Sequence, residues 1–317
     1  MTLNPNLAAF YVRSPVYQLI VSLLVVLVVG ALLFYLFILA GSLIFNADPG
    51  VLGKPSVENG VEELGFIKFA LMAQDISFFI VPAVIILAKL NPGYQAPIMN
   101  IKTLRINDVI LLIVLALCTF PVTGLAGQLN SGMLLPDWLS GVGEWIRDKE
   151  DYADHLLELI MTPGTLAGML LNLFIIAALP AISEELIFRG VFQKIFQNIF
   201  RSGHLSVWLT SFLFSAIHLQ FYGFLPRFIL GLVFGYLFLW RRNLWYPVIA
   251  HFINNAVPTA GAYIKGWEAV NSPSSASLGK QITVVMFSLL VGIVILVWFR
   301  QGGIEEGKEN PDTDNLP

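Results

Sequence analysis

The chain has 317 residues, of which 56% are hydrophobic and 12% are charged. Soluble domains carry about 25% charged residues, so this supply cannot coat a soluble surface, and a freely soluble globular protein is excluded. The net charge of -3, from 18 basic and 21 acidic side chains, provides no basic field for nucleic acid, and no nucleic-acid partner is expected.

Long uncharged runs recur along the chain, and about 20 helical residues cross a ~30 Å hydrocarbon core. The expectation is an all-α, polytopic transmembrane helical bundle of about eight spans. In chain order they fall near 17–45, 66–88, 109–127, 165–188, 205–221, 226–240, 244–263 and 281–299. The first apolar run, 14–47, is too long for the core of a cleaved leader and is expected to remain as a span. The segment 137–160 is acidic and reads as a solvated loop with a surface helix. Segment 191–201 has apolar residues at helical spacing and extends the fourth helix along the interface. The tail 301–317 is polar and is expected to lack structure. Cys118 lies in an apolar run and reads as a small buried hydrophobe. No internal repeat is evident.

Basic residues in short loops set orientation. Arg13, Lys89, Lys102, Arg105, Arg201, Arg241, Arg242 and Arg300 share one side if both termini are cytoplasmic. Lys54, Arg147, Lys149, Arg227, Lys265 and Lys280 fall on the other side, so the bias is moderate. The implied location is a cell membrane, the plasma membrane if the source is bacterial.

Ionisable groups at membrane depth are costly and line cavities, pair or take part in chemistry. The run Thr165 to Ser183 has no Asp, Glu, Lys or Arg, and SEELIFRG closes it. Glu185 and Arg189 are i and i+4, share a helix face and can pair. Glu184 is rotated about 100° away and lacks that partner. A carboxylate left so can act as a general base or acid. His251 and Asn255 repeat the i, i+4 spacing, as do Phe214 and His218. Each also has a structural reading. The Glu185–Arg189 pair alone is an anchor, a lone His is interhelical glue, Gly231 and Gly235 form a close-packing GxxxG, and Asp75 is a satisfied polar contact or a cavity-lining group. Their joint occurrence raises the functional reading.

Three patterns stand in order on apolar helices: EExxxR at 184–189, FxxxH at 214–218 and HxxxN at 251–255. Over roughly 165–260 the chain resembles the CPBP intramembrane metalloprotease family, which includes type II CAAX prenyl endopeptidases and bacteriocin-processing, Abi-like proteins. The resemblance implies an intramembrane endopeptidase acting on a membrane-associated protein or peptide, such as a prenylated CAAX-type substrate or a peptide precursor. Glu184, assisted by His218, would activate water; His251 and Asn255 would donate hydrogen bonds to the oxyanion; Glu185 and Arg189 would hold the geometry. Zinc held by Glu184, His218 and His251 and a metal-free site based on Glu184 both stay open; no HExxH is present.

The implied division is an N-terminal membrane region, 1–164, a catalytic core, 165–265, and a last span with its tail, 266–317. A non-proteolytic scaffold or regulator of the same fold is the alternative, and a secondary transporter a third reading. One tension remains: the expected span ends put Glu184 and His218 at opposite ends of their helices. A kink at Pro180, a tilted or re-entrant fifth segment, or displaced boundaries would each remove it.

Overall fold

A computed structural model describes residues 13–53, 61–90, 99–101, 104–133, 136–161, 165–271 and 276–309. Lys54, Lys102 and the tail beyond Glu309 lie outside the described residues. All the regular structure described is helical, with no strand among the described residues. In chain order the helices are α1 (Pro15–Phe45), α2 (Glu63–Lys89), α3 (Ile106–Ser131), α4 (Ser140–Met161), α5 (Leu166–Phe200), α6 (Gly203–Ala216), α7 (Phe224–Arg241), α8 (Trp245–Lys265), α9 (Trp267–Asn271) and α10 (Leu278–Glu309).

Six of the eight expected spans are long and apolar enough to cross a membrane: α1, α2, α3, α5, α7 and α10. The chain is an integral, multi-pass membrane protein. The other two expected spans are helices that fall short for different reasons. The α6 helix has only 14 residues, and α8 carries His251, Asn254, Asn255 and Thr259, which lower its hydropathy. The last helix also runs further than expected. It continues through 301–309, where Glu and Lys residues are good helix formers.

The α5 helix continues past 188 through the segment 191–201 expected to extend it, as far as Phe200, where Arg201 takes a left-handed conformation (φ 50°) and ends it. Ser202 then caps α6, its Oγ accepting from the Leu205 N–H at 3.2 Å. Glu184 therefore sits inside α5, about 24 Å from its Phe200 end. The α6 helix climbs back about 20 Å from Gly203 to Ala216, which brings His218 to a comparable level. The depth conflict came from a misplaced span end: the polar residues Arg189 and Gln193 look like a helix exit, yet both are buried and donate to carbonyls of α7.

Four stretches wind with wider, π-type turns: Val25–Val29, Asp75–Ile80, Leu173–Ala178 and Phe188–Gln193. Such turns are frequent at functional sites, and the last three surround the residues singled out above. Pro180 gives one of them a cause. It has no N–H to bond the Ile176 carbonyl one turn earlier, and Asn255 Nδ2 on α8 donates to that carbonyl at 3.3 Å instead.

The α6 and α7 helices meet through small residues. A Cβ on Gly231 would stand 2.9 Å from Ser211 Cβ and 3.1 Å from its Cα; one on Gly235 would stand 2.8 Å from Val207 Cγ1. The 231/235 pair therefore faces 211/207, as the GxxxG spacing predicts. Gly231→Val is expected to destabilise the fold by overpacking against backbone. The check is thermal unfolding in detergent: a lowered midpoint relative to wild type supports the close approach, and an unchanged midpoint contradicts it.

Candidate active site

Glu185 lies at the centre of the polar cluster. Its Oε1 accepts from Arg189 Nη1 at 2.8 Å and from His251 Nδ1 at 2.9 Å. Glu185 and Arg189 are both 0% exposed. Arg189 Nη2 donates to the Gly231 carbonyl at 3.1 Å. The guanidinium is 4.8 Å from the Phe214 ring centroid and 5.6 Å from that of Phe234, so two aromatic faces supply the remaining cation stabilisation. Next along α5, Gln193 Nε2 repeats the pattern on the Gly235 carbonyl at 3.0 Å.

His251 is held on three sides. Phe234 stacks on it, with centroids 4.9 Å apart and planes at 17°. Phe214 meets it edge-on at 6.0 Å. A carboxylate only accepts, so Nδ1 carries the proton toward Glu185. Nε2 is thereby turned to Glu184, whose Oε2 lies 3.8 Å away.

Glu184 is different from its neighbour. It makes no hydrogen bond to the protein among the described residues, and its side chain keeps 12% exposure. The preceding residue, Ser183, donates through Oγ to Asp75 Oδ1 on α2 at 3.0 Å. Asp75 is thus a satisfied polar contact that fixes the turn carrying Glu184, one of its two expected readings.

His218 lies just past α6. Its Nδ1 is 2.8 Å from the Phe214 carbonyl. A carbonyl accepts, so Nδ1 holds the proton and Nε2 is an open acceptor. The loop carrying it is tied down from three directions. Asn130 Nδ2 donates to the Phe221 carbonyl at 2.7 Å and its Oδ1 accepts from the Leu225 N–H at 3.1 Å. Glu150 on α4 accepts from the Tyr222 N–H at 2.8 Å. Ser215 Oγ donates to the Phe224 carbonyl at 2.6 Å.

The structure thus brings together Glu184, Glu185, Arg189 and His251, with His218 beside them through the shared Phe214 ring. Asn255 stands one turn from His251 and is bonded to Ile176. Its neighbour Asn254 belongs elsewhere, Oδ1 accepting from Thr119 on α3 at 3.3 Å. Phe234, Asp75 and the carbonyl of Gly231 were not assigned to the site by sequence. Phe234 sits between the two glycines of GxxxG, and nothing in that spacing signals a histidine stacked on it. Among the described residues no group of three His, Cys, Asp or Glu converges closely enough to hold a metal ion. Glu184, His218 and His251, the ligands in one of the two open readings, form no such group.

Residues 166–257 match the family model of Type II CAAX prenyl endopeptidase Rce1-like. The resemblance seen in the three motifs therefore holds over this segment, which spans α5 to α8 and contains every motif residue. The chain is also 31% identical over 90 residues to an uncharacterized protein, YpbD, of Bacillus subtilis (strain 168). That match takes in 27% of this chain and 43% of the relative, so the chain spans less than half the length of the curated relative it matches. No solved structure matches the chain. Over 166–257 the chain is thus similar to a protease family, and its apolar helices are those of a membrane protein.

Removing one partner of a buried ion pair leaves the other charge uncompensated, at a cost of roughly 3–5 kcal/mol. Arg189→Ala is expected to lower the thermal midpoint in detergent far more than Glu184→Gln, because Glu184 makes no such contact. Equal loss in the two variants would contradict the assignment of anchor and free carboxylate.

Proposed function

We propose that the protein is an intramembrane endopeptidase that hydrolyses a peptide bond of a membrane-associated substrate with water activated by Glu184. The observation that supports this most is the contrast between adjacent carboxylates. Glu185 is buried and bonded twice, while Glu184 is hydrogen-bonded to nothing and faces His251 across 3.8 Å. A structural glutamate at membrane depth is hydrogen-bonded into its surroundings. One that meets only the imidazole of His251, beyond hydrogen-bond distance, is available to take a proton from water.

The other residues follow from their bonds. His218, with Nδ1 committed to the Phe214 carbonyl, offers Nε2 as an acceptor that orients the attacking water. His251 is oriented by Glu185, as a carboxylate orients a catalytic imidazole. With a proton on Nε2 it is an imidazolium stabilised by two carboxylates and donates to the developing oxyanion. Asn255 has two amide N–H groups. One is spent on the Ile176 carbonyl, and the second is left for the substrate. Its bond to α5 makes it a support of the site as well as a donor. Arg189 neutralises Glu185 and keeps the pair from repelling charge on Glu184. No serine or cysteine stands in these motifs, so direct attack by water is the route. The substrate reading is a lipidated or otherwise membrane-anchored peptide, the class named by the matched family.

The bonds of Glu185, Arg189 and Asn255 are also what a non-proteolytic scaffold of this fold would need. Glu184 separates the two readings, because a scaffold has no use for it. Purified protein in detergent is expected to cleave a quenched, prenylated CAAX-type peptide. Glu184→Gln is expected to reduce turnover at least about a hundred-fold, as loss of a general base does, with the thermal midpoint unchanged. Asn255→Ala is expected to retain some turnover but to lower the midpoint as well. Wild-type turnover in Glu184→Gln would remove the proposed base. Turnover is expected to survive a strong chelator; loss on chelation with recovery on added zinc would establish a metal site instead.

A further inference from the structure

Three arginines enter the helical bundle, and two of them have acidic partners. Arg189 is bonded to Glu185. Arg241 lies 3.9 Å from Asp108 and donates to the Tyr246 hydroxyl at 2.8 Å. Arg227, in the first turn of α7, differs. Among the described residues no carboxylate comes within ion-pair distance of it, and its side chain bonds only to Gln220, through the backbone carbonyl at 3.5 Å and the side-chain Oε1. A guanidinium carries five N–H donors, so most of its capacity is unused. The side chain is half-buried. An unpaired, partly desolvated cation is costly, and its surroundings hold it where it is.

Those surroundings are specific. The backbone of Gly223 lies against the guanidinium so closely that a Cβ there would collide with Nη1, Nη2 and Cζ. The segment from His218 to Leu225 is pinned by Asn130, Glu150 and Ser215. Arg227 is therefore presented from a rigid base and not from a free loop. The same pinned segment begins with His218 and is met at the Tyr222 N–H by Glu150 of α4, so Arg227 stands at the end of the loop that carries a motif histidine.

We propose that Arg227 is a specificity-determining residue that receives the free α-carboxylate of a peptide substrate; this rests on the endopeptidase reading. The planar fork of Arg matches a carboxylate with two parallel hydrogen bonds. A carboxylate seated at Arg227 sets the register of the chain. Residues of an extended peptide advance about 3.3–3.6 Å each, so the seat fixes how far from the C-terminus the bond over Glu184 lies. The enzyme then measures from the end of its substrate and does not need to read every side chain. Gln220 holds the empty fork, and Gly223 leaves room for it.

The test compares a dye-labelled, farnesylated peptide ending in three aliphatic residues, made as the free acid and as the C-terminal amide. Affinity is read by fluorescence polarisation with full-length Glu184→Gln protein in detergent, so binding is measured without turnover. The free acid is expected to bind about ten- to a hundred-fold tighter than the amide, the range of a charge-assisted pair. Adding Arg227→Gln is expected to bring the two peptides within about two-fold of each other. Arg227→Lys is expected to be intermediate, because it keeps the charge and loses the fork. A merely structural arginine would weaken both peptides alike and leave the ratio unchanged. Equal binding of acid and amide, a ratio that persists in Arg227→Gln, or binding of neither peptide would overturn the inference. Wild-type turnover of the free acid reports separately on the endopeptidase reading. Discrimination in binding without any cleavage would leave Arg227 as a carboxylate receptor and reject the protease.

Discussion

The buried bond from Arg189 to Glu185 organises the rest of the site. Both groups are removed from solvent, and neither would be tolerable alone at this depth. Arg189 is bonded to the Gly231 carbonyl on α7, and the missing side chain at 231 lets α7 come against Ser211 of α6. The rings of Phe214 and Phe234 then close over the guanidinium from α6 and α7. Satisfying the second demand on Glu185 draws in His251 from α8. One ion pair on one helix thus fixes the relative placement of three others. The same contacts decide which nitrogen of His251 faces Glu184.

The wider turns make this possible. A straight α5 would carry Pro180 at the cost of an unsatisfied Ile176 carbonyl. The Leu173–Ala178 turn and the Asn255 amide absorb that cost. The Phe188–Gln193 turn begins just after the carboxylate pair and presents Arg189 and Gln193 to successive glycine carbonyls on α7. The Asp75–Ile80 turn places Asp75 against Ser183. These three irregularities lie where a polar group of the core reaches a neighbour; the apolar Val25–Val29 stretch has no such bond among the described residues.

Charge is sorted by depth and by partner. Arg189 and Arg241 are consumed by acids inside the bundle, and each stabilises a helix junction. Among the described residues Arg227 is bonded only to Gln220. Helix α4 reaches the same loop through Glu150, which accepts from the Tyr222 N–H.

The sequence by itself determined the class, the helical content and the functional pairs that lie within a helix. Apolar runs report membrane helices directly, and i, i+4 spacing puts Glu185 with Arg189 on one face whatever the neighbours do. It also separated Glu184 from Glu185, since rotation about a helix is local geometry. The expected end of the fourth span falls at 188 because Arg189 and Gln193 are polar, and the α7 carbonyls that bond them are 42 residues distant in sequence. Only the tertiary structure decided which groups are satisfied. It showed that His251 is bonded to Glu185, that Asn255 answers the carbonyl freed by Pro180, that Phe234 belongs to the site, and that Arg227 has no acid of its own. Those facts depend on contacts between helices, and hydropathy and local spacing do not encode which face of one helix meets which face of another.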